Sequence, residues 1–68
     1  MSNKYLDNKY IRKRLQLLRS ELGKPTITIQ AQRIGVSRVT LNNFLLGKDV
    51  NQDTLKKIDV FIQYYARD

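Results

Sequence analysis

From Asp7 to Leu22 the apolar residues Ile11, Leu15, Leu18 and Leu22 recur at intervals of four, three and four. This is the stripe that an amphipathic helix turns toward a core. Asp7 is placed to cap its start and Gly23 its end. Lys24-Pro25 breaks the chain, because proline disfavours helix at the residue before it. Thr26 then offers a hydroxyl to cap a second, shorter helix running to about Ile34, with Ile27, Ala31 and Ile34 on one face. Residues 26 to 29 read Thr-Ile-Thr-Ile, an alternation that also fits a strand; with no second strand to pair with it, helix is the expectation. Gly35 stops this pattern, and Ser37 is placed to cap a third helix, Arg38 to about Leu46. Leu41, Phe44 and Leu45 form its buried side and leave Arg38, Val39, Asn42 and Asn43 facing away. Gly47 ends it, Lys48-Asp49-Val50 make a loop, and Asn51 caps a last helix through about Ala66, striped by Leu55, Ile58, Ile62 and Tyr65.

The pattern therefore predicts an all-α chain, one domain over residues 1 to 68 with helices at about 7–22, 27–34, 38–46 and 52–66. A chain this short buries only ~60% of the surface its unfolded form exposes, so no deep substrate cavity is expected. With 41% hydrophobic residues, three glycines and one proline, and no repeat or low-complexity tract, the composition is that of a folded domain and not of a disordered segment.

Cysteine and histidine are both absent, which removes disulfides, thiolate nucleophiles, imidazole bases and the usual zinc ligands. No cofactor and no metal is expected. The acids Asp7, Glu21, Asp49, Asp53, Asp59 and Asp68 are scattered, and Gly47-Lys48-Asp49 lacks the glycine-rich approach and hydroxyl of a phosphate loop, so the reading is that of a non-enzyme. Met1-Ser2-Asn3-Lys4-Tyr5 carries no apolar export segment, and no run of 18 apolar residues occurs. A cytoplasmic protein without membrane association is expected.

Charge changes the picture most. Thirteen basic and six acidic residues give +7, which makes polyanions the natural partners. Residues 1 to 25 hold seven bases and two acids, residues 26 to 48 three bases and no acid, and residues 49 to 68 three bases and four acids. The positive surface thus belongs to the first two thirds. Lys9, Arg12, Lys13 and Arg19 lie mostly off the first helix's apolar stripe and read as a diffuse field around it.

The segment from Ile27 to Phe44 brings together a small Ala31, a Gly35 four residues later, apolar Ile34 and Val36 around the turn, the cap Ser37, and apolar Leu41 and Phe44. Two short helices crossing steeply need these types: a small side chain at the crossing, a residue with φ > 0 in the turn, and apolar groups inside. In these features the chain resembles the helix-turn-helix of the phage repressor and Cro family, the XRE-type regulators. The likeness extends over roughly residues 9 to 63, with Ile11 to Gly23 like the family's first helix, Gly47-Lys48 like the close of its third and Thr54 to Ile58 like its fourth. It implies a compact lambda-repressor-like fold of four helices, or five. Three positions depart from the family: Gln30 stands where leucine is usual, Leu45 replaces the acid that would pair with Arg19, and Ile27 replaces a polar phosphate contact.

What the resemblance implies is sequence-specific binding of double-stranded DNA by a small Cro-like repressor of a phage, plasmid or similar operon, with the third helix in the major groove. Base reading falls to Arg38, whose fork suits guanine O6 and N7, to Asn42 and Asn43, suited to adenine N6 and N7, and to Val39 against a thymine methyl. Thr26, Thr28, Ser37, Thr40 and Lys48 are read as phosphate-positioning groups, with capping the competing role for Ser37. Lys4, Lys9, Arg12 and Lys13 are candidates for the flanking backbone or a minor groove. Members of the family usually bind palindromic operators as dimers, and Val60, Phe61, Tyr64 and Tyr65 are the candidate homodimer contacts, ordinary packing on the first helix being the alternative. With no sensing domain expected after residue 68, regulation would rest on synthesis, dimerisation or a regulatory protein partner. The rival class is a protein-interaction module on the same fold, an antirepressor or an inhibitor of a regulatory protein. The lack of acids between residues 26 and 48 favours nucleic acid. A peripheral membrane binder is weaker still, because the first helix's apolar stripe is needed inside.

Overall fold

In the computed structural model, which describes residues 5 to 65, those residues form four helices and no strand: α1 (Asn8–Glu21), α2 (Ile27–Ile34), α3 (Arg38–Leu46) and α4 (Gln52–Tyr65). Of the Thr-Ile-Thr-Ile segment, Ile27 to Ile29 are helical as expected. Thr26 sits just outside α2 in extended conformation and its Oγ1 accepts the Ile29 N–H at 3.4 Å. That capping bond lets a β-branched start become a helix.

One apolar core binds the four elements. Ile11, Leu15 and Leu18 from α1, Ala31 and Ile34 from α2, Leu41 and Phe44 from α3, and Leu55, Ile58, Phe61 and Ile62 from α4 are all buried. Leu6, Ile27, Val36, Leu45 and Val50 close over its edges. The Cα radius of gyration of 11.3 Å is close to the ~11 Å expected for a compact chain of this length.

The core departs from the sequence pattern at two helix ends. Leu22, placed by periodicity on the buried stripe of α1, is 43% exposed, because α1 stops at Glu21 and the chain swings away through left-handed Gly23 and Lys24. On α4, Phe61 is 8% exposed and Tyr65 39%, so the last core turn is made by Phe61 and Ile62, and Tyr65 lies at the rim. The reason is position along the axis: Tyr65 keeps the direction of the stripe, but as the last residue of α4 it lies one turn past Phe61 and Ile62, with its ring against that of Phe61 at 4.9 Å between centroids. Phe61 is thus a core residue of the protomer and leaves the set of candidate dimer contacts. Ala66 lies outside the described residues.

Polar side chains tie the backbone where helices end. Asp7 occupies the N-cap position of α1 but makes no side-chain capping bond, in contrast to expectation. Asn8 instead pairs with the Val50 peptide, donating to its carbonyl at 3.2 Å and accepting its N–H at 2.8 Å. Gln52 treats Leu6 in the same way, donating at 2.9 Å and accepting at 3.0 Å. These two amide pairs hold the start of α1 and the residues before it against the start of α4 and the loop leading into it. Asn51 accepts the Thr54 N–H at 2.9 Å, the expected cap of α4.

Candidate nucleic-acid interface

The α2–turn–α3 unit is built by chain-local bonds. Gly35 adopts φ 95°, and both its N–H and that of Val36 donate to the Ala31 carbonyl, at 2.8 and 3.0 Å. A left-handed residue there reverses the chain within a single turn. Ser37 then accepts the Thr40 N–H at 3.1 Å and donates to Thr40 Oγ1 at 2.8 Å. The start of α3 is held by these bonds, and Ser37 and Thr40, both expected to position phosphates, already use their hydroxyls on each other. Ala31, 2% exposed, is the small residue on the inner face of α2.

On the outside, Arg38, Val39 and Asn42 are all exposed, Val39 at 61%. Val39 is thus not packed against a neighbouring loop. Together with Ile27 and Thr28 they line a shallow cleft of about 280 Å³ between α2 and α3. Asn43 is half-buried and does not line that cleft. Lys48, just beyond α3, is exposed. Thr26 is exposed too, with its hydroxyl engaged in capping α2. Of the departures from the family pattern, Ile27 is half-buried at the cleft wall, and Thr28 is the exposed hydroxyl beside it.

Two further stretches of the surface were not singled out by sequence. A second cleft, about 520 Å³, is lined by Gln16, Arg19, Ser20, Lys24, Ile27, Asn42 and Leu45 and carries the exposed surface from α3 onto α1. Lys9 and Lys13, both exposed, precede Gln16 by seven and three residues and share its side of α1. Leu46, 78% exposed, lies seven residues after Val39 and so on the same side of α3. Projecting the run 39, 42 or 43, 46 at helical spacing would have found it. None of the residues lining the two clefts is acidic.

Two arginines expected on the cationic exterior work inside. Arg12 stacks its guanidinium 4.7 Å from the Phe44 ring centroid and donates to the carbonyls of Phe44 and Lys48, 2.5 and 2.9 Å away, and to Asp49 at 3.1 Å. With its side chain 14% exposed it is spent on the C-terminal end of α3, so it is no candidate for a flanking or minor-groove contact. Arg19, deprived of an acid by Leu45, donates to the Pro25 carbonyl at 3.1 Å and to Gln30 Oε1. Gln30 is the one buried polar residue of the described chain, so these two departures from the family pattern answer each other. Lys4 lies outside the described residues.

Among the described residues no group of histidine, cysteine, aspartate and glutamate is arranged to hold a metal ion, and no helix is long and apolar enough to cross a membrane. No family model, no curated protein and no solved structure matches the chain.

Proposed function

We propose that the protein is a sequence-specific binder of double-stranded DNA, a small Cro-like transcription regulator that lays α3 in the major groove. The observation that carries the reading is the outer face of α3: Arg38, Val39 and Asn42 stand clear of the core beside a cleft with no carboxylate in its lining. A groove of DNA presents base edges within a field of phosphates, and it rewards a protruding helix that carries planar donors and no anions. Arg38 reads guanine, Asn42 adenine, and Val39 and Leu46 supply apolar contact to thymine methyls. Asn43, on the flank of α3, is better placed for the backbone. Thr28, Lys24, Lys48, Lys9 and Lys13 contribute phosphate contacts, and the N-termini of α2 and α3 add their partial positive charge. Two copies bind a palindrome, with Val60 and Tyr64, both exposed on α4, as the contact between them.

The test is a fluorescence-anisotropy titration of selected cognate and random duplexes. Arg38→Ala is expected to lose on the order of 1–3 kcal/mol on cognate DNA and little on random DNA, whereas Lys48→Ala weakens both alike. Equal losses for the Arg38 variant on the two duplexes count against the assignment.

A further inference from the structure

An apolar groove opens away from α3, between the end of α1, the flank of α2 and the last turn of α4. Leu22, Pro25, Ile29, Phe61 and Tyr65 line it together with Gln30 and Arg33, around about 200 Å³. Three of these apolar residues are exposed: Leu22 at 43%, Ile29 at 49% and Tyr65 at 39%. The groove shares no residue with the cleft of Arg38, Val39 and Asn42, because Thr28 and Ile29 lie on opposite flanks of α2.

We propose that this groove docks an acidic peptide segment of another protein, one apolar side chain entering the groove and a neighbouring carboxylate meeting Arg33. Size and charge select this occupant. The cavity holds one side chain and is smaller than the roughly 300–1,000 Å³ of sites that enclose a small molecule, while its walls at Leu22 and Ile29 stay exposed to a longer chain. Arg33, exposed, sits at the rim with its guanidinium 3.4 Å from Tyr65 Oη, and the lining contains no carboxylate. A second copy of this chain would bring a +7 protein and another Arg33 to the same place, which disfavours self-association there. An anionic segment gains from both features. Because the two clefts are disjoint, such a partner can be held while α3 is occupied.

The experiment uses the ¹⁵N-labelled protein without DNA, so its outcome is independent of the DNA reading. It is titrated by NMR with a blocked pentapeptide carrying one leucine between two aspartates. Counterparts carry lysine in place of both aspartates, or alanine in place of the leucine. Shifts gathered at Leu22, Ile29, Arg33, Phe61 and Tyr65, strongest for the acidic leucine peptide, are expected. Ile29→Asp should weaken binding at least about tenfold, the factor for losing a packed apolar side chain. Position 29 lies in the first turn of α2, where an acid suits the helix, so this variant folds. Arg33→Glu should invert the preference between the acidic and basic peptides. No shifts at millimolar peptide, equal shifts with the basic counterpart, or shifts centred on Lys13, Lys24 and Arg38 overturn the proposal. A dimer of the free protein that Ile29→Asp dissociates in sedimentation also overturns it, in favour of a second copy.

Discussion

At Gly35 one residue decides whether the chain turns. Its φ of 95° lies where a side chain is strained, and a Cβ built there meets nothing within 4 Å, so the cost of substitution is conformational alone. Gly35→Ala is expected to destabilise by about 1–2 kcal/mol in urea denaturation without losing contacts elsewhere. Arg19 and Gln30 show the opposite case, a pair whose members have meaning only together. Arg19→Leu leaves the buried Gln30 amide without its partner and should cost about 1–3 kcal/mol, whereas the Arg19→Leu, Gln30→Leu double variant should recover much of that loss. Additive losses in that cycle would mean the two side chains are not coupled.

At nine residues α3 is too short to persist unaided and is held at both ends by side chains from outside it. Its N-terminus is held by Ser37, and its last turn by Arg12 reaching across from α1 to the Phe44 carbonyl and, just past the helix, to that of Lys48. Arg12→Met removes the donors while keeping much of the apolar stem over Phe44. It is expected to destabilise by about 1–3 kcal/mol and to speed amide exchange first in α3. Asp49, 72% exposed, completes the contact from the solvent side, so Asp49→Asn should change stability by less than about 0.5 kcal/mol. Comparable losses for the two variants would shift the weight from the carbonyl bonds to the ion pair. If α3 binds DNA as proposed, affinity should also fall with Arg12→Met, since the helix that Arg12 steadies carries Arg38 and Asn42.

For the whole molecule, the uneven charge matters more than its total. Lys9, Lys13, Lys24, Arg38 and Lys48 are exposed on or beside the α1 and α3 faces that border the clefts, while Asp53 lies on α4 beside Lys56, Lys57 and Val60. Binding to duplex DNA should therefore weaken steeply with salt. If four or five of these cations meet phosphates in each copy, log K falls against log [salt] with a slope of about −4 per copy. A slope near zero would point instead to the rival class, salt-tolerant capture of a protein. Lys56→Glu, on the far helix, should leave the slope unchanged.

How much of this was legible in one dimension follows from the range of the forces involved. The four helices, their caps at Thr26, Ser37 and Asn51, and the turn at Gly35 depend on neighbours within four residues, so spacing and residue type declared them. The exposure of Arg38, Val39 and Asn42 was legible for the same reason, as the reverse side of Leu41 and Phe44. Asp7 is a local failure, a good capping residue whose side chain makes no capping bond. Arg12 seated on Phe44, Arg19 joined to Gln30, Phe61 turned inward and Leu22 left outside all depend on partners 11 to 37 residues away or on where a helix stops against its neighbours. Periodicity gives the direction of a side chain about its own axis. Only packing determines what stands in that direction, and hence which charges remain for a partner and which are consumed in holding the fold.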